Sequence, residues 1–231
     1  MTLGYSSDQI RQAEKPLLDA GVPLMQRAAD GLADEIRRVL ENRGTTPGVV
    51  LVLAGSGDNG GDALYAAARL AATGVRVRIL TTGTRWHEDA LAAAITAGAD
   101  AGDRHAEPGT PAFEALLDGA DVVVDGILGI GRTDSPALRG RARDVVQAVR
   151  PSVLRRMSGA PVVVAVDIPS GIGSDDGAVP DPLVLPALVT VTFGAVKAGL
   201  LLPPASGLAG RIHLVEIGLD LDGVDPVVHT D

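Results

Sequence analysis

Gly55-Ser56-Gly57-Asp58-Asn59-Gly60-Gly61-Asp62 lies between an apolar run, Val49 to Ala54, and an alanine-rich segment, Ala63 to Ala72. A buried strand, a glycine loop and a helix read this way. Glycines let the backbone approach a ligand closely, and a helix start offers free N–H groups. Gly55, Gly57 and Gly60 satisfy the G-x-G-x-x-G spacing of a dinucleotide loop. Asp58 and Asp62, however, place negative charge where a pyrophosphate needs positive potential. The next apolar run, Val75 to Leu80, leads into Thr81-Thr82-Gly83-Thr84-Arg85, with no acid to hold a ribose hydroxyl. No Gly-Lys-Ser/Thr follows the glycines, which excludes a P-loop. The loop suits a cation together with a hydroxyl-rich or weakly charged ligand group. For Asp62 alone, a site role and simple complementation of the helix dipole stand level.

Outward from this loop, Val-rich runs alternate with helical segments. The runs are Val49–Ala54, Val75–Leu80, Val122–Val124, Val162–Val166, Leu188–Phe193 and Ile212–Ile217; the helical candidates between them are Asp62–Ala72, Glu88–Ala97, Ala112–Leu117 and Arg139–Val149. Continuous apolar strands with intervening helices predict a mainly parallel sheet covered on both faces. Before this core, Ser6–Ala20 and Pro23–Asn42 carry helical patterns. Leu24, Ala28, Leu32, Ile36 and Leu40 recur on one helical face, as core or as a subunit contact. Gly171 to Pro186 is rich in Gly, Pro and Asp and reads as an excursion over the site, and Asp220 to Asp231 as a loose tail. The expected organisation is one domain over residues 1–231: N-terminal helices (6–42), an α/β core (49–219) and the tail (220–231).

Composition narrows the function classes. The chain has 231 residues, 46% of them hydrophobic but only 2% aromatic, so Val, Leu, Ile and Ala must build the core. A net charge of −9 disfavours a broad nucleic-acid or anionic-membrane surface, although a local phosphate site is compatible with it. Cysteine is absent, which rules out disulfides, thiolate catalysis and Cys-based zinc sites. The first residues lack a basic region followed by an apolar one, and the longest apolar stretch, Leu183 to Val196, is interrupted by Pro186 and too short to span a bilayer. A soluble cytoplasmic protein is expected.

Ligands of such sheets gather at the carboxyl ends of the strands. Two further runs end there in polar segments. Val122-Val123-Val124-Asp125-Gly126-Ile127-Leu128-Gly129-Ile130-Gly131-Arg132-Thr133-Asp134-Ser135 closes its strand with Asp125. Its glycines permit a backbone wrap, and Gly131-Arg132-Thr133 offers N–H groups, a cation and a hydroxyl to a phosphate. A strand-end turn for Asp125 and a solvated loop charge for Arg132 are the plain alternatives. Val166-Asp167-Ile168-Pro169-Ser170-Gly171 places Asp167 where an apolar strand opens into a cleft, a setting that raises a carboxyl's pKa and suits acid–base work. Ser170 is open between a cation ligand, a turn former and a helix cap. Asp58, Asn59, Asp62, Asp125, Asp167 and Ser170 together suit a hard cation. His87, His105, His213 and His229 are scattered and make a His-based metal site improbable.

The ordered set A-G-S-G-D-N-G-G-D, V-D-G-I-L-G-I-G, V-D-I-P-S-G and V-T-F-G-A-V-K-A-G-L-L resembles the NAD(P)H-hydrate epimerases, the YjeF N-terminal domain family. Leu24-Met25-Gln26-Arg27-Ala28-Ala29 fits its opening helix and Ile217-Gly218-Leu219 its last strand. The resemblance covers nearly the whole chain. It implies a Rossmann-like three-layer α/β/α domain with a mainly parallel central sheet, often a homodimer. It implies epimerisation of the R and S forms of hydrated NADH or NADPH (NADHX and NADPHX) at the hydroxyl-bearing ring carbon, as cofactor repair, with a functional link to an NAD(P)HX dehydratase. The implied cofactor is K+, held by Asn59, Asp125 and Ser170 with backbone carbonyls. The implied substrate contacts are Asp58, Asn59, Gly60, Gly61 and Asp62, then Gly129, Ile130, Gly131, Arg132, Thr133, Asp134 and Ser135, and Asp167. The family's lysine matches Lys197, its role open between site and surface. The family loop reads G-N-N-G-G-D-G, so Asp58 and Ala63 are departures.

The epimerised carbon bears a ring nitrogen and a hydroxyl group. Loss of water gives an iminium, and water returns on the other face, which requires an acid and a base. Asp167 is expected to do the main proton work, with Asp62 as second candidate. A non-catalytic binding or scaffold member of the same fold and an ordinary NAD(P)-dependent oxidoreductase are the competing readings. The oxidoreductase is disfavoured by the missing acid after the second strand.

Overall fold

The computed structural model describes residues 1–131, 135–155 and 159–230. Strands β1 (Thr2–Gly4), β2 (Val49–Ala54), β3 (Arg76–Thr81), β4 (Val122–Gly126), β5 (Val162–Val166), β6 (Val189–Phe193), β7 (Arg211–Val215) and β8 (Val228–Thr230) alternate with helices α1 (Ser7–Asp19), α2 (Leu24–Arg43), α3 (Asp58–Ala72), α4 (Glu88–Thr96), α5 (Pro111–Leu117), α6 (Gly140–Leu154) and α7 (Ala198–Leu201). Six strands pair in the order β3-β2-β4-β5-β6-β7, and each pair is parallel.

Side chains on successive strand residues point to opposite faces, and both faces of this sheet are covered. Val50, Val52 and Ala54 of β2 pack with α2, α3 and α4, whereas Leu51 and Leu53 pack with α5 and α6. The same alternation holds in β4, where Val122 and Val124 face one layer and Val123 the other. Each such buried Val or Leu contributes about 1.5–3 kcal/mol. Leu24, Ala28, Leu32, Ile36 and Leu40 of α2 are all buried in the first layer, so that helical face is core. The strand pattern's parallel sheet covered on both faces is present, and with it the three-layer α/β/α domain that the resemblance implies.

Two elements differ from the sequence reading. The segment after Asp220 does not end as a loose tail, because Val228–Thr230 pairs antiparallel with Thr2–Gly4. Three-residue strands drawn from opposite ends of a chain are too short to show a period. In addition, α3 begins at Asp58 rather than Asp62. Gly60 and Gly61 read as loop by propensity, yet they form its first turn, where a Cβ at Gly60 would overlap the Gly55 carbonyl.

The switch in strand order lies between β2 and β4, since the chain leaves β2 toward β3 on one side and returns to β4 on the other. A cleft opens at such a point. Gly55 sets its width. Its N–H donates to the Gly126 carbonyl at 2.9 Å, and a Cβ at Gly55 would overlap the Ile127 carbonyl. At Gly57 nothing lies within 4 Å of such a Cβ. Gly55→Ala is therefore expected to cost about 1–3 kcal/mol, and Gly57→Ala close to nothing. Thermal melts check this: Gly55→Ala lowers Tm by roughly 2–4 °C per kcal/mol. Equal Tm values for the two variants would contradict the close approach.

Candidate active site

The cleft is a cavity of about 380 Å³ at the carboxyl ends of β2, β4 and β5. A roomier one, about 670 Å³, lies near the amino ends of β4 and β5, away from the glycine loops. Register brings the strand ends level: Leu53 pairs with Asp125, and Asp125 with Ala165.

The earlier start of α3 decides what the first loop presents. Asn59 and Asp62 are three residues apart on a helix and share one face, which lines the cavity. Asp58 joins them at its exposed edge. Gly60 and Gly61 do not line it; Gly61 instead faces Met25 and His87. Ala63 is fully buried against Gly126, so this departure from the family loop sits in the core and leaves the cavity unchanged.

Beneath the cavity floor, Asp125 is completely buried. Its Oδ1 accepts from Ser170 Oγ at 2.6 Å and its Oδ2 from Ser170 N–H at 2.9 Å. Burial pushes the Asp125 carboxyl up, and the hydrogen bonds from Ser170 and Ile127 pull it partly back. Ser170 Oγ also accepts from Leu128 N–H at 2.9 Å. The Asn59 side-chain amide donates to the Leu128 carbonyl at 3.1 Å and the Val166 carbonyl at 2.5 Å. Gly129 makes room for this, since a Cβ there would overlap Asn59 Oδ1. The structure thus gathers Asn59, Asp125 and Ser170 with two backbone carbonyls in one buried cluster. Among the described residues, Asp125 has no cationic partner.

Asp167 is the one non-glycine residue among those described with a left-handed backbone, φ 66°. Such strain persists only where the surroundings fix it. They do so here: Asp167 N–H donates to the Val191 carbonyl at 2.7 Å. Its Oδ1 accepts from Phe193 N–H at 3.1 Å, from Thr192 Oγ1 at 3.2 Å and from Lys197 Nζ. Lys197 also donates to the Phe193 carbonyl at 3.0 Å and is 1% exposed, so it is no surface charge. Asp167 Oδ2 carries no hydrogen bond from the described residues. Asp62 is 6% exposed and makes no hydrogen bond or ion pair with them. Burial holds its carboxyl well above the ordinary range, and the charges of Asp167 and Asp58 add to this.

The second loop contributes Gly129, Ile130 and Gly131 to the cavity. Ser135 does not line it; its hydroxyl accepts from Ala137 N–H at 3.3 Å, and Pro136 faces the cavity instead. Arg132, Thr133 and Asp134 lie outside the described residues. Sequence reasoning missed Arg11 and Glu14, which α1 brings to the cavity wall. Arg11 is held by the Ile130 carbonyl at 2.8 Å and by Asp8 at 2.6 Å. The only signal was a pair of charges three residues apart on a predicted helix.

Fold and site define a Rossmann-like α/β/α domain with an acidic cavity at its switch point and a buried oxygen cluster beneath. The chain belongs to the family described as YjeF-related protein N-terminus, whose profile matches residues 21–199. It is 52% identical over 225 residues to a protein of Clavibacter michiganensis subsp. michiganensis named NAD(P)H-hydrate epimerase, covering 97% of this chain and 94% of that protein. It is 43% identical over 237 residues to the Mycobacterium tuberculosis protein named bifunctional NAD(P)H-hydrate repair enzyme Nnr, covering 98% of this chain and 42% of that one. A crystal structure of the yeast protein YNL200c superposes with a TM-score of 0.77 at 20% identity, over 99% of this chain and 96% of that one, and so shares its fold.

The raised Asp62 carboxyl has a consequence for stability. Between its ordinary value of 3.8 and its value in the fold, the folded chain keeps a proton that the unfolded chain gives up. The stability contribution is therefore complete below the ordinary value and is lost as pH rises through the folded one. Asp62→Asn stays neutral throughout. Its Tm should match the wild type in acid and exceed it increasingly as pH rises, by roughly 2–4 °C per kcal/mol. A Tm difference that does not grow with pH would contradict the burial of a charge here.

Proposed function

We propose that the protein is an NAD(P)H-hydrate epimerase, interconverting the R and S forms of hydrated NADH and NADPH. The observation that carries the reading is the pairing of two unlike carboxyls in one cavity. Asp62 is buried, raised and without a hydrogen bond or ion pair among the described residues, while Asp167 is held on one oxygen by Lys197. Carboxyls set apart by environment divide acid and base roles. The names of the relatives, at 52% and 43% identity, support the same reaction.

In this reading Asp62 donates its proton to the leaving hydroxyl. The carbon–oxygen bond breaks, the ring nitrogen lone pair forms the iminium, and one water leaves. Water then adds to the opposite face, and Asp167 Oδ2 takes the proton it releases. Lys197, Thr192 and the Phe193 N–H hold Asp167 in the orientation this needs. Gly129–Gly131 line the cavity beside these carboxyls.

Potassium is the cofactor proposed, held by Asn59, Asp125 and Ser170 with the Leu128 and Val166 carbonyls. The donor set fits: hard oxygens, one carboxylate and, among the described residues, no cationic partner suit a singly charged ion. Among the described residues, no group of three His, Cys, Asp or Glu could hold a metal, which speaks against a carboxylate-rich divalent site. The ion would supply positive charge beneath the carboxyls and order the two loops. We further propose a cytoplasmic homodimer working beside a dehydratase. No helix among the described residues is long and apolar enough to cross a membrane, and the bifunctional relatives support a coupled repair activity.

The test is chromatographic: one purified epimer of NADHX or NADPHX is mixed with the protein in potassium or in sodium. Appearance of the other epimer above the spontaneous rate, faster in potassium, is expected, with Asp167→Asn slower by about 10²–10⁴-fold. Bound ligand without conversion in either salt would favour the scaffold reading.

A further inference from the structure

The chain leaves β3 through Thr82-Gly83-Thr84-Arg85-Trp86, one strand beyond the glycine loop. Thr82 N–H donates to the Ala54 carbonyl at 2.9 Å, and a Cβ at Gly83 would lie 3.6 Å from Ser56, which lines the cavity. The end of β3 is therefore contiguous with the cavity. In doubly wound sheets the second strand of the nucleotide-binding unit ends at the adenosine ribose, where an acid holds a free 2′-hydroxyl and an arginine a 2′-phosphate. This chain has no acid between Thr81 and His87.

It has arginines there instead. Thr81 N–H and Oγ1 donate to the Arg104 carbonyl at 2.8 and 3.0 Å, which fixes the segment of Arg104 and His105 against β3. The Arg104 guanidinium stands 5.5 Å from the centre of the Trp86 ring, and the His105 ring 5.2 Å from it. Arg104 Nη1 reaches the Ala101 carbonyl at 3.3 Å, but its Nε is buried with no hydrogen bond to the described residues, and so is Nε1 of Trp86. Buried donors left open call for a partner. Arg85, next to Trp86, is exposed and makes no hydrogen bond or ion pair with the described residues. Of the acids nearby, Glu107 pairs with Arg141 at 2.6 Å, while Glu88, Asp89 and Asp103 are exposed. Burial pushes the His105 imidazole down, and the charges of Arg104 and Arg141 add to this against Glu107.

We propose that Arg104 and Arg85 bind the 2′-phosphate on the adenosine half of the substrate, beside Trp86, and so make NADPHX the preferred substrate over NADHX. The proposal rests on the epimerase reading for the rest of its ligand. A guanidinium fork matches two phosphate oxygens, and the Nε edge of Arg104 is the part left open. With the hydroxyl-bearing ring at Asp62 and Asp167, the dinucleotide runs from β5 to β3. Those strands stand three spacings apart, about 14 Å. A dinucleotide lies across the switch point of such a sheet in the same way.

The test needs no turnover. Trp86 is the one tryptophan in the chain, so its fluorescence reports this corner directly. Adenosine 2′,5′-bisphosphate and adenosine 5′-monophosphate are each titrated into the full chain. A saturable fluorescence change is expected, with the bisphosphate bound roughly 10–100-fold more tightly, as hydrogen bonds to a charged group supply. Arg104→Gln and Arg85→Gln each shrink that ratio by about 10-fold. Arg85 is exposed, so its variant keeps the test independent of folding, and circular dichroism checks both. In kinetics, kcat/KM of the wild type favours NADPHX over NADHX, and both variants narrow the preference. Three outcomes overturn the assignment: no binding or equal affinity for the two nucleotides, a ratio unchanged in both variants, or bisphosphate binding that leaves Trp86 fluorescence unmoved. The expected binding in a protein with no epimerisation above background would instead overturn the function reading and leave the nucleotide site standing.

Discussion

The buried ion pair between Asp167 and Lys197 is the constraint on which the site depends. Two charges this deep are tolerable only together, and removing either partner strands the other at a cost of about 3–5 kcal/mol. The pair joins the carboxyl end of β5 to the turn after β6, and Lys197 carries that link to the N-terminal segment, where it bridges Tyr5. Asp167 accepts a left-handed backbone in exchange for three donors on one oxygen. Its second oxygen is thereby aimed by structure that the ligand does not have to supply.

The other features of the cavity follow from that arrangement. Burial raises the Asp62 carboxyl well above the ordinary range, and the charges of Asp167 and Asp58 add to this. Asn59 and Asp62 face the site together because α3 starts at Asp58, and Gly60 lets the helix start there against the Gly55 carbonyl. Beneath them, Asp125 and Ser170 lock the ends of β4 and β5 to the loop at Leu128. Backbone proximity, helix phase and charge therefore converge on one small volume at the switch point of the sheet.

Much of this was legible in the chain. Valine runs bounded by Gly, Asp and Pro located all six strands of the main sheet, because strands buried on both faces read as continuous apolar stretches. The three polar strand ends carry Asn59, Asp62, Asp125, Asp167 and Ser170 in plain view of the sequence. Lys197 was matched by resemblance, but its burial was invisible, since a lysine carries no sequence mark of the partner 30 residues away. Arg11 and Glu14 were missed because α1 looks like a solvated amphipathic helix, and only tertiary packing turns that face to the cavity. The pairing of β1 with β8 joins the two ends of the chain, and no local pattern reports it.

The cavity sets an Asp62 carboxyl raised by burial beside a lysine-paired Asp167. The most direct measurement is a carbon-13 NMR titration of the aspartate side-chain carboxyls, with Asp62 assigned by its disappearance in Asp62→Asn. The account predicts that this resonance titrates well above the ordinary carboxylate range, and that the midpoint moves down when Asp167 is replaced by Asn. An Asp62 midpoint near 4, unmoved by the loss of Asp167, would contradict it.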